Sequence, residues 1–506
     1  MNNNLWLNKI GILVVLFSMV VVSCNKDVDA PVPNTFELPK GSTIGKELSQ
    51  DPSYSLLFAL VNKVGLASAV SDSSKIFTVF APDNNAIKTF VSAFLGNPFV
   101  TPASPDEVFL GIISSADSAT TVTLRRIVNY HINPGQAIRA VAIGEGFANT
   151  QYPTNFIFPA PNTNPLARFS NFLSRRQNAA WVNNIPVSLP DYKVVANGVI
   201  HGVPAVIVPP SRLLLDTIAR DEEFSYLVAA IKRADSGLST TSAPSFQYFL
   251  GEPAIAPGAN FTVLAPTNQA FQDLIKGLVL SRVLGQIAES NPTRELNNGD
   301  LESAQIAADA AVTAGPAILS TNNLTTNDVR GIVAYHVIAS KRIFSVNFNS
   351  TATTYSTLLN SSVPTHPGLN ISSALFNGFG VGLSVKGLAN STAAIAVPGT
   401  GGLVDRHAIN GVFYKINQVL LPVPPPTILS FEPASAKGDD TVTITGINLA
   451  GASSVRFGGV AAKSFQITSS TTIKAVVDPT SVNGNVDLRT PLGFTFKSGF
   501  TLLLTP

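Results

Sequence analysis

Hydrophobic positions along the chain switch from a helical period to a strand period, and they do so twice in the same order. Tyr54, Leu57, Leu60, Val61 and Val64 recur at steps of three and four, which predicts a helix with one apolar face. Phe224, Leu227, Val228 and Ile231 repeat that spacing behind Asp221-Glu222-Glu223, acids suited to a helix start. Each helix is followed by a compact apolar run. One is Phe77-Thr-Val-Phe-Ala-Pro-Asp-Asn-Asn-Ala86 and the other is Phe261-Thr-Val-Leu-Ala-Pro-Thr-Asn-Gln-Ala270. The run predicts a buried strand. Proline ends it, because it lacks a ladder donor and holds its neighbour extended. Asp83/Asn84 and Thr267/Asn268 then supply short polar side chains to cap a helix entering at Ala86 or Ala270. Strand, sharp turn and capped helix form an internal repeat, and it sets the domain count.

Two further blocks recur. Leu124-Arg-Arg-Ile-Val-Asn-Tyr-His131 is matched by Val329-Arg-Gly-Ile-Val-Ala-Tyr-His336. Ala196-Asn-Gly-Val-Ile-His201 is matched by Ile409-Asn-Gly-Val-Phe-Tyr414, where Asn-Gly signals a tight turn between strands. These three blocks, in this order in both copies, resemble the fasciclin (FAS1) domain. The resemblance covers roughly residues 41–422 and implies tandem domains over 41–210 and 211–422. It implies an α+β fold, a β-wedge of two sheets with a small helical bundle. It also implies adhesion or extracellular binding rather than catalysis. Tyr130, His131, His201, Tyr335 and His336 carry its motifs and are read as packing residues satisfied by hydrogen bonds. The second copy departs from the pattern at Tyr414, where the first has His201. Both copies are long for the family, the first through extra material around Ala148–Asn184, the second through Ser239–Ala259 and Ala288–Asn327. Within the latter, Ile306–Ala314 reads as helix and Ser320–Asn327 as loop.

Pro422-Val-Pro-Pro-Pro426 predicts a stiff linker and a boundary. Beyond it, Thr441-Val-Thr-Ile-Thr-Gly-Ile-Asn448 alternates with period two, and Val455-Arg-Phe-Gly-Gly459, Thr472–Val477 and Asn485–Thr490 follow as short strands between turns. That spacing predicts a β-sandwich over 423–506. It resembles an IPT/TIG immunoglobulin-like domain, which implies a spacer or support role in bacterial surface proteins.

At 45% hydrophobic and 13% charged, the chain has ample core material and low charge density. Lys+Arg 33 against Asp+Glu 31 leaves no basic stripe, which argues against nucleic acid. The doublets Arg125-Arg126, Arg175-Arg176, Lys232-Arg233 and Lys341-Arg342 read as solvated faces. At the N-terminus, Lys9 precedes an apolar run, Ile10–Val22, too short to span a bilayer. It ends in Val21-Val22-Ser23-Cys24, with the chain's one cysteine, and resembles a lipoprotein lipobox. That implies a signal peptide over 1–23, lipidation at Cys24 and a tether over 24–40. Acyl chains would hold it to a membrane at about 0.8 kcal/mol per buried methylene. Lys26-Asp27 resembles a surface-export signal, so the expected location is the outer membrane, with its outer face favoured.

Chemistry is sparse. The sequence has no Gly-x-Ser-x-Gly elbow, HExxH, Walker loop or EF-hand. Gly378-Phe-Gly-Val-Gly382 leads into the alternating Leu383–Lys386, the wrong context for a nucleotide loop. The histidines at 131, 201, 336, 366 and 407 are not at metal-ligand spacing. No cofactor, metal or catalytic residue is expected, and no acid pair suggests a glycosidase. The suggestive stretch places Tyr152, Phe156, Phe158, Phe169, Phe172 and Trp181 among Asn, Pro and Ser. Aromatic faces with polar rims suit sugar rings. Anchoring a long loop is the competing role. Tyr152, Phe156, Phe158 and Trp181 are the candidate ligand residues, with Arg175 and Arg176 available to acidic sugars. The expected protein is a non-catalytic, lipid-anchored envelope protein that binds an extracellular polysaccharide or an envelope or matrix protein. The alternative is a scaffold subunit of an outer-membrane complex.

Overall fold

The computed structural model describes residues 37–96, 99–158, 167–252, 258–290, 297–320, 324–376, 379–396, 404–423, 426–490 and 493–503. Cys24, the segment before it and most of the tether lie outside these residues, as do 424–425 of the proline linker and Gly378.

The first copy contains β1 (Phe77–Pro82), β2 (Ile132–Pro134), β3 (Thr150–Ile157), β4 (Arg168–Arg176), β5 (Ala179–Val182), β6 (Ile185–Pro186), β7 (Leu189–Val195) and β8 (Gly198–Val203). One sheet runs β2-β1-β8-β7 and a second runs β3-β4-β5-β6. Strands β1 and β8 are parallel, with Phe77 opposite Gly198 and Pro82 opposite Val203. Both are buried along their whole length, which is why they read as continuous apolar runs. Helices Ser55–Lys63, Asn84–Leu95 and Ser118–Tyr130 cover that sheet through Leu57, Leu60, Ile87, Val91, Leu124 and Val128. The Asp83 carboxylate caps the second of them by accepting from the Ala86 N–H at 2.8 Å. Asn197 and Gly198 divide the labour in the last motif. Gly198 sits at φ +143°, where a Cβ would lie 1.8 Å from the Phe77 carbonyl oxygen. The Asn197 side chain ties the sheet to the helices by accepting from the Ile44 N–H (2.8 Å) and donating to the Val70 carbonyl (2.8 Å).

The second copy contains β9 (Phe261–Pro266), β10 (Val337–Ala339), β11 (Thr353–Tyr355), β12 (Leu369–Phe376), β13 (Phe379–Lys386), β14 (Ala394–Ala396), β15 (Arg406–Ala408) and β16 (Gly411–Ile416). Its β10-β9-β16 order repeats β2-β1-β8, again with the central pair parallel. Strands β11 to β14 form the counterpart of the second sheet, joined to the first through the Ala396–Ile416 pair. This corrects one expectation. Ala148–Asn184 is not extra material peculiar to the first copy. Its described residues form most of a second sheet, held in both copies by the motif tyrosine: Tyr130 donates to the Ser170 carbonyl (3.1 Å) and Tyr335 to the Gly368 carbonyl (2.7 Å). The second copy's own additions are helical. Its Asn268–Ser290 helix outlasts the equivalent Asn84–Leu95 and packs on an added helix, Asn298–Val312, with Lys276 and Asp309 paired at 2.7 Å. That helix starts earlier than the expected Ile306. Thr326 and Asn327 are helical rather than loop, because Thr325 and Asp328 form a capping box.

The C-terminal region contains β17 (Thr427–Glu432), β18 (Ser435–Ala436), β19 (Thr441–Ile447), β20 (Ser454–Phe457), β21 (Val460–Ala461), β22 (Ser464–Ser469), β23 (Thr472–Val476), β24 (Gly484–Thr490) and β25 (Gly493–Leu502). They form sheets of order β17-β19-β23-β22 and β18-β25-β24-β20-β21. Alternate residues Val442, Ile444, Ile473 and Ala475 of one sheet share a core with Val455, Phe457, Val486 and Leu488 of the other. The whole is α+β, with an all-β end. Among the described residues, no helix is long and apolar enough to cross a membrane.

Candidate functional site

The motif histidines are internal ties. His131 and His336 end their helices, each 2% exposed. Each donates from Nδ1 to a carbonyl one turn back, Ile127 (2.8 Å) or Ile332 (2.7 Å). Each accepts at Nε2 from a backbone N–H of the closing segment, Ile207 or Leu420, both at 2.9 Å. A carbonyl can only accept and an amide can only donate, so the neutral tautomer is fixed. Burial pushes both imidazoles down to about 4. His201 is fully buried, accepting from the Asp191 N–H (2.9 Å) and donating to the Ile138 carbonyl (2.8 Å). None of the three offers a free edge to a ligand. No group of three or more His, Cys, Asp or Glu side chains arranged to hold a metal occurs among the described residues.

The candidate aromatics part company. Phe156 and Phe158 are half-buried and stack on Phe169 at centroid distances of 4.5 and 4.0 Å, and Tyr152 packs on the same cluster. Trp181 belongs to a different cluster. It is 4% exposed, packed with Phe344 and Tyr335 of the second copy, and the Arg176 guanidinium lies 4.7 Å over its ring. Its faces are therefore covered by protein. Phe172 joins it there, against Phe344 at 5.9 Å.

Arg342 organises the junction. The Lys341-Arg342 doublet is only half a solvated face, since Lys341 is exposed but Arg342 is 7% exposed. The Arg342 guanidinium lies 4.8 Å over Phe172 and donates to the Ile409 carbonyl (2.7 Å) and His407 Nε2 (2.8 Å). Burial lowers its pKa to about 10. Asn149 donates from the first copy to the Arg342 carbonyl (2.8 Å) and to Asn347 Oδ1 (2.9 Å). Asn260 returns the favour by donating to Gln151 Oε1 at 3.0 Å. Between these groups lies a cleft of about 370 Å³, lined by Phe147, Asn149, Gln151 and Phe172 on one side and Asn260, Lys341, Arg342, Asn347 and Tyr355 on the other. Asn347 is 3% exposed, yet its Nδ2 has no hydrogen-bond partner, and neither does Arg342 Nε. An unmade hydrogen bond on a buried donor costs about 1–3 kcal/mol. The cleft has amides, rings and cations but no nucleophile with a base beside it.

The pattern of apolar and polar residues hid most of these groups. Arg342 and Asn347 carry no motif, and Asn149 and Gln151, either side of the start of β3, meet them only because the two copies pack together. One signal was available. The equivalent turn of the first copy reads Gly135-Gln136-Ala137, with Gly135 at φ +83° where Ser340 stands at +59°. Arginine therefore replaces alanine at an otherwise repeated position.

A fasciclin domain family model matches residues 52–209, and an IPT/TIG domain model matches residues 426–500. Neither is an enzyme family. The second copy repeats the β2-β1-β8 strand order of the first as β10-β9-β16, with the central pair again parallel. Among solved structures, the chain is similar to the FAS1 domain pair of the insect cell adhesion molecule fasciclin I. Identity is 14% and the TM-score 0.25, over 74% of this chain and 95% of that one. It is also similar to SGBP-B from a complex xyloglucan utilization locus of Bacteroides uniformis (12% identity, TM-score 0.15, 26% of this chain and 35% of that one). A third is SGBP-B of the mixed-linkage glucan utilization locus of Bacteroides ovatus, in complex with a mixed-linkage heptasaccharide (16%, TM-score 0.14, 27% and 39%). No curated protein matches the sequence.

Proposed function

We propose that this chain is a non-catalytic adhesion or binding protein of the cell envelope, tethered by lipid at Cys24, that holds an extracellular polysaccharide in the cleft between its two fasciclin-like copies. The carrying observation is the lining of that cleft, which sets the amides of Asn149, Gln151, Asn260 and Asn347 beside the rings of Phe147, Phe172 and Tyr355. Sugars present hydroxyls to amides and C–H faces to rings, which matches that lining. The matched fasciclin family supports a binding role. The units are taken as 41–210, 211–422 and 423–506: each has a core of its own, although Phe172 and Trp181 of the first also join a core of the second, and the last unit is read as a spacer.

The test is affinity electrophoresis of the protein against a panel of neutral and acidic polysaccharides, beside Gln151→Trp, a substitution at an exposed position that fills the cleft mouth. Retardation by one glycan that Gln151→Trp removes, with the melting temperature unchanged, is the expected result. Retardation by none, with an envelope protein captured instead through this cleft, overturns the polysaccharide reading. For the tether, Cys24→Ala is expected to move the protein from the membrane fraction to the soluble one and to abolish labelling by a fatty-acid probe. Unchanged fractionation contradicts it.

A further inference from the structure

We infer that the ligand of this cleft carries carboxylates: it is an acidic, uronate-bearing saccharide rather than a neutral one. The inference rests on the binding reading above and sharpens it to a substrate class. It starts from charge. The lining holds Lys341 and Arg342 and no aspartate or glutamate. Arg342 is nine-tenths buried, and its partners are a neutral imidazole, backbone carbonyls and the Phe172 ring. No carboxylate among the described residues pairs with it. A buried cation ordinarily has an acid beside it, because desolvation is costly without one. Here Nε remains without an acceptor, and so does the neighbouring Asn347 Nδ2. Arg342 and Asn347 both line the cleft, and a carboxylate there is the charge complement that Arg342 lacks within the protein.

Lys341 adds the second charge at the mouth. It is exposed and forms no salt bridge among the described residues, but its backbone is fixed. Thr262 Oγ1 donates to the Lys341 carbonyl (2.8 Å) and accepts from the Ile343 N–H (3.0 Å). The first copy builds the same backbone tie with Thr78, donating to the Gln136 carbonyl (2.8 Å) and accepting from the Ile138 N–H (2.7 Å). It places Gln136 and Ala137 where the second places Lys341 and Arg342. The cations therefore are not needed to build the turn. Four side-chain amides and the Tyr355 phenol around them suit a polyhydroxylated chain better than an acidic peptide.

The experiment measures binding of the full chain to polygalacturonate, its fully methyl-esterified form, a neutral galactan and polyglutamate, with Lys341→Glu alongside. The expected result is that polygalacturonate binds about tenfold more tightly than its ester, the size of one charge-assisted hydrogen bond. Lys341→Glu, at an exposed side chain, should weaken polygalacturonate about tenfold and leave the melting temperature unchanged. Added salt should weaken it further. Equal binding of acid and ester, or binding of neutral galactan alone, overturns the acidic inference while leaving the polysaccharide reading intact. Polyglutamate bound as tightly as polygalacturonate assigns the cleft to an acidic protein segment and overturns both. Binding of none of the four overturns the inference, and the wider panel then decides the polysaccharide reading.

Discussion

The two copies solve one packing problem with different chemistry. In the first, His201 reaches from β8 to the Ile138 carbonyl, and Asp191 beside it accepts from the Ala140 N–H (2.9 Å) and pairs with Arg139 at 3.0 Å. In the second, Tyr414 stands at the same register on β16 and reaches the Ile343 carbonyl (2.7 Å). Asp405 takes the place of Asp191, accepting from the Ser345 N–H and the Tyr414 hydroxyl, both at 2.6 Å. Phe344 occupies the position of Arg139, and its ring packs on Phe172 of the first copy. Asn184 of the first copy also donates to Asp405 at 3.3 Å. The backbone ties are retained while the side chains around them change. An ion pair in one copy becomes an apolar and amide interface in the other, and that interface forms the cleft.

Substitutions can break this comparison, and the largest effect is expected at Trp181. Trp181→Ala removes a fully packed ring between the copies and should cost about 4 kcal/mol. Denaturant unfolding should then resolve separate transitions for the two copies. A single transition with little loss of stability would show that the ring is not a joint.

Acid tests what the copies share. The histidines at 131 and 336 have folded pKa values depressed from 6.5 to about 4. Below pH 6.5 the unfolded chain takes up protons that the folded chain refuses. Their stabilisation is therefore complete above 6.5 and lost as pH falls toward 4, at about 3 kcal/mol per histidine. Both copies should lose stability over that window. His131→Gln or His336→Gln should flatten the pH dependence of its own copy only.

Tyr414→Phe separates the copies. It should cost about 2 kcal/mol by removing the single hydroxyl proton shared between the Ile343 carbonyl and the Asp405 carboxyl. Burial already raises the Asp405 pKa, so its contribution is present at low pH and lost as pH rises. The Tyr414 hydrogen bond holds that pKa down, so without the hydroxyl the Asp405 pKa rises further and the loss should extend to higher pH. An unchanged pH profile would remove Asp405 from the account. The smallest effect is expected for Phe158→Ala, about 1 kcal/mol for a half-buried ring. If the variant keeps its stability but loses glycan binding, the stacked Phe156–Phe169–Phe158 rings are the ligand platform and the cleft is not.

The repeat was legible because its signals are local: a proline-ended strand, a capped helix, Tyr-His at a helix end, Asn-Gly at a hairpin. The period-two Thr441–Asn448 run and the Phe-Gly-Gly turn of the C-terminal sandwich were equally local. The second sheet was not legible in the first copy. Strand β4 pairs with partners on either side, and nothing along the sequence says that Ser170 must meet Tyr130. Trp181 looked like a ring for sugars because its polar neighbours in sequence are not its neighbours in space. Arg342 was misread for the converse reason. A basic doublet predicts solvent unless a second body covers it, and here Phe172 comes from the other copy.

The most direct measurement is a crystal structure of the protein with the glycan it retains most strongly. Ligand density is expected between Gln151 and Asn347, with ligand oxygens within hydrogen-bond distance of the lining amides. Density on any other surface, with the cleft holding only water, would contradict it.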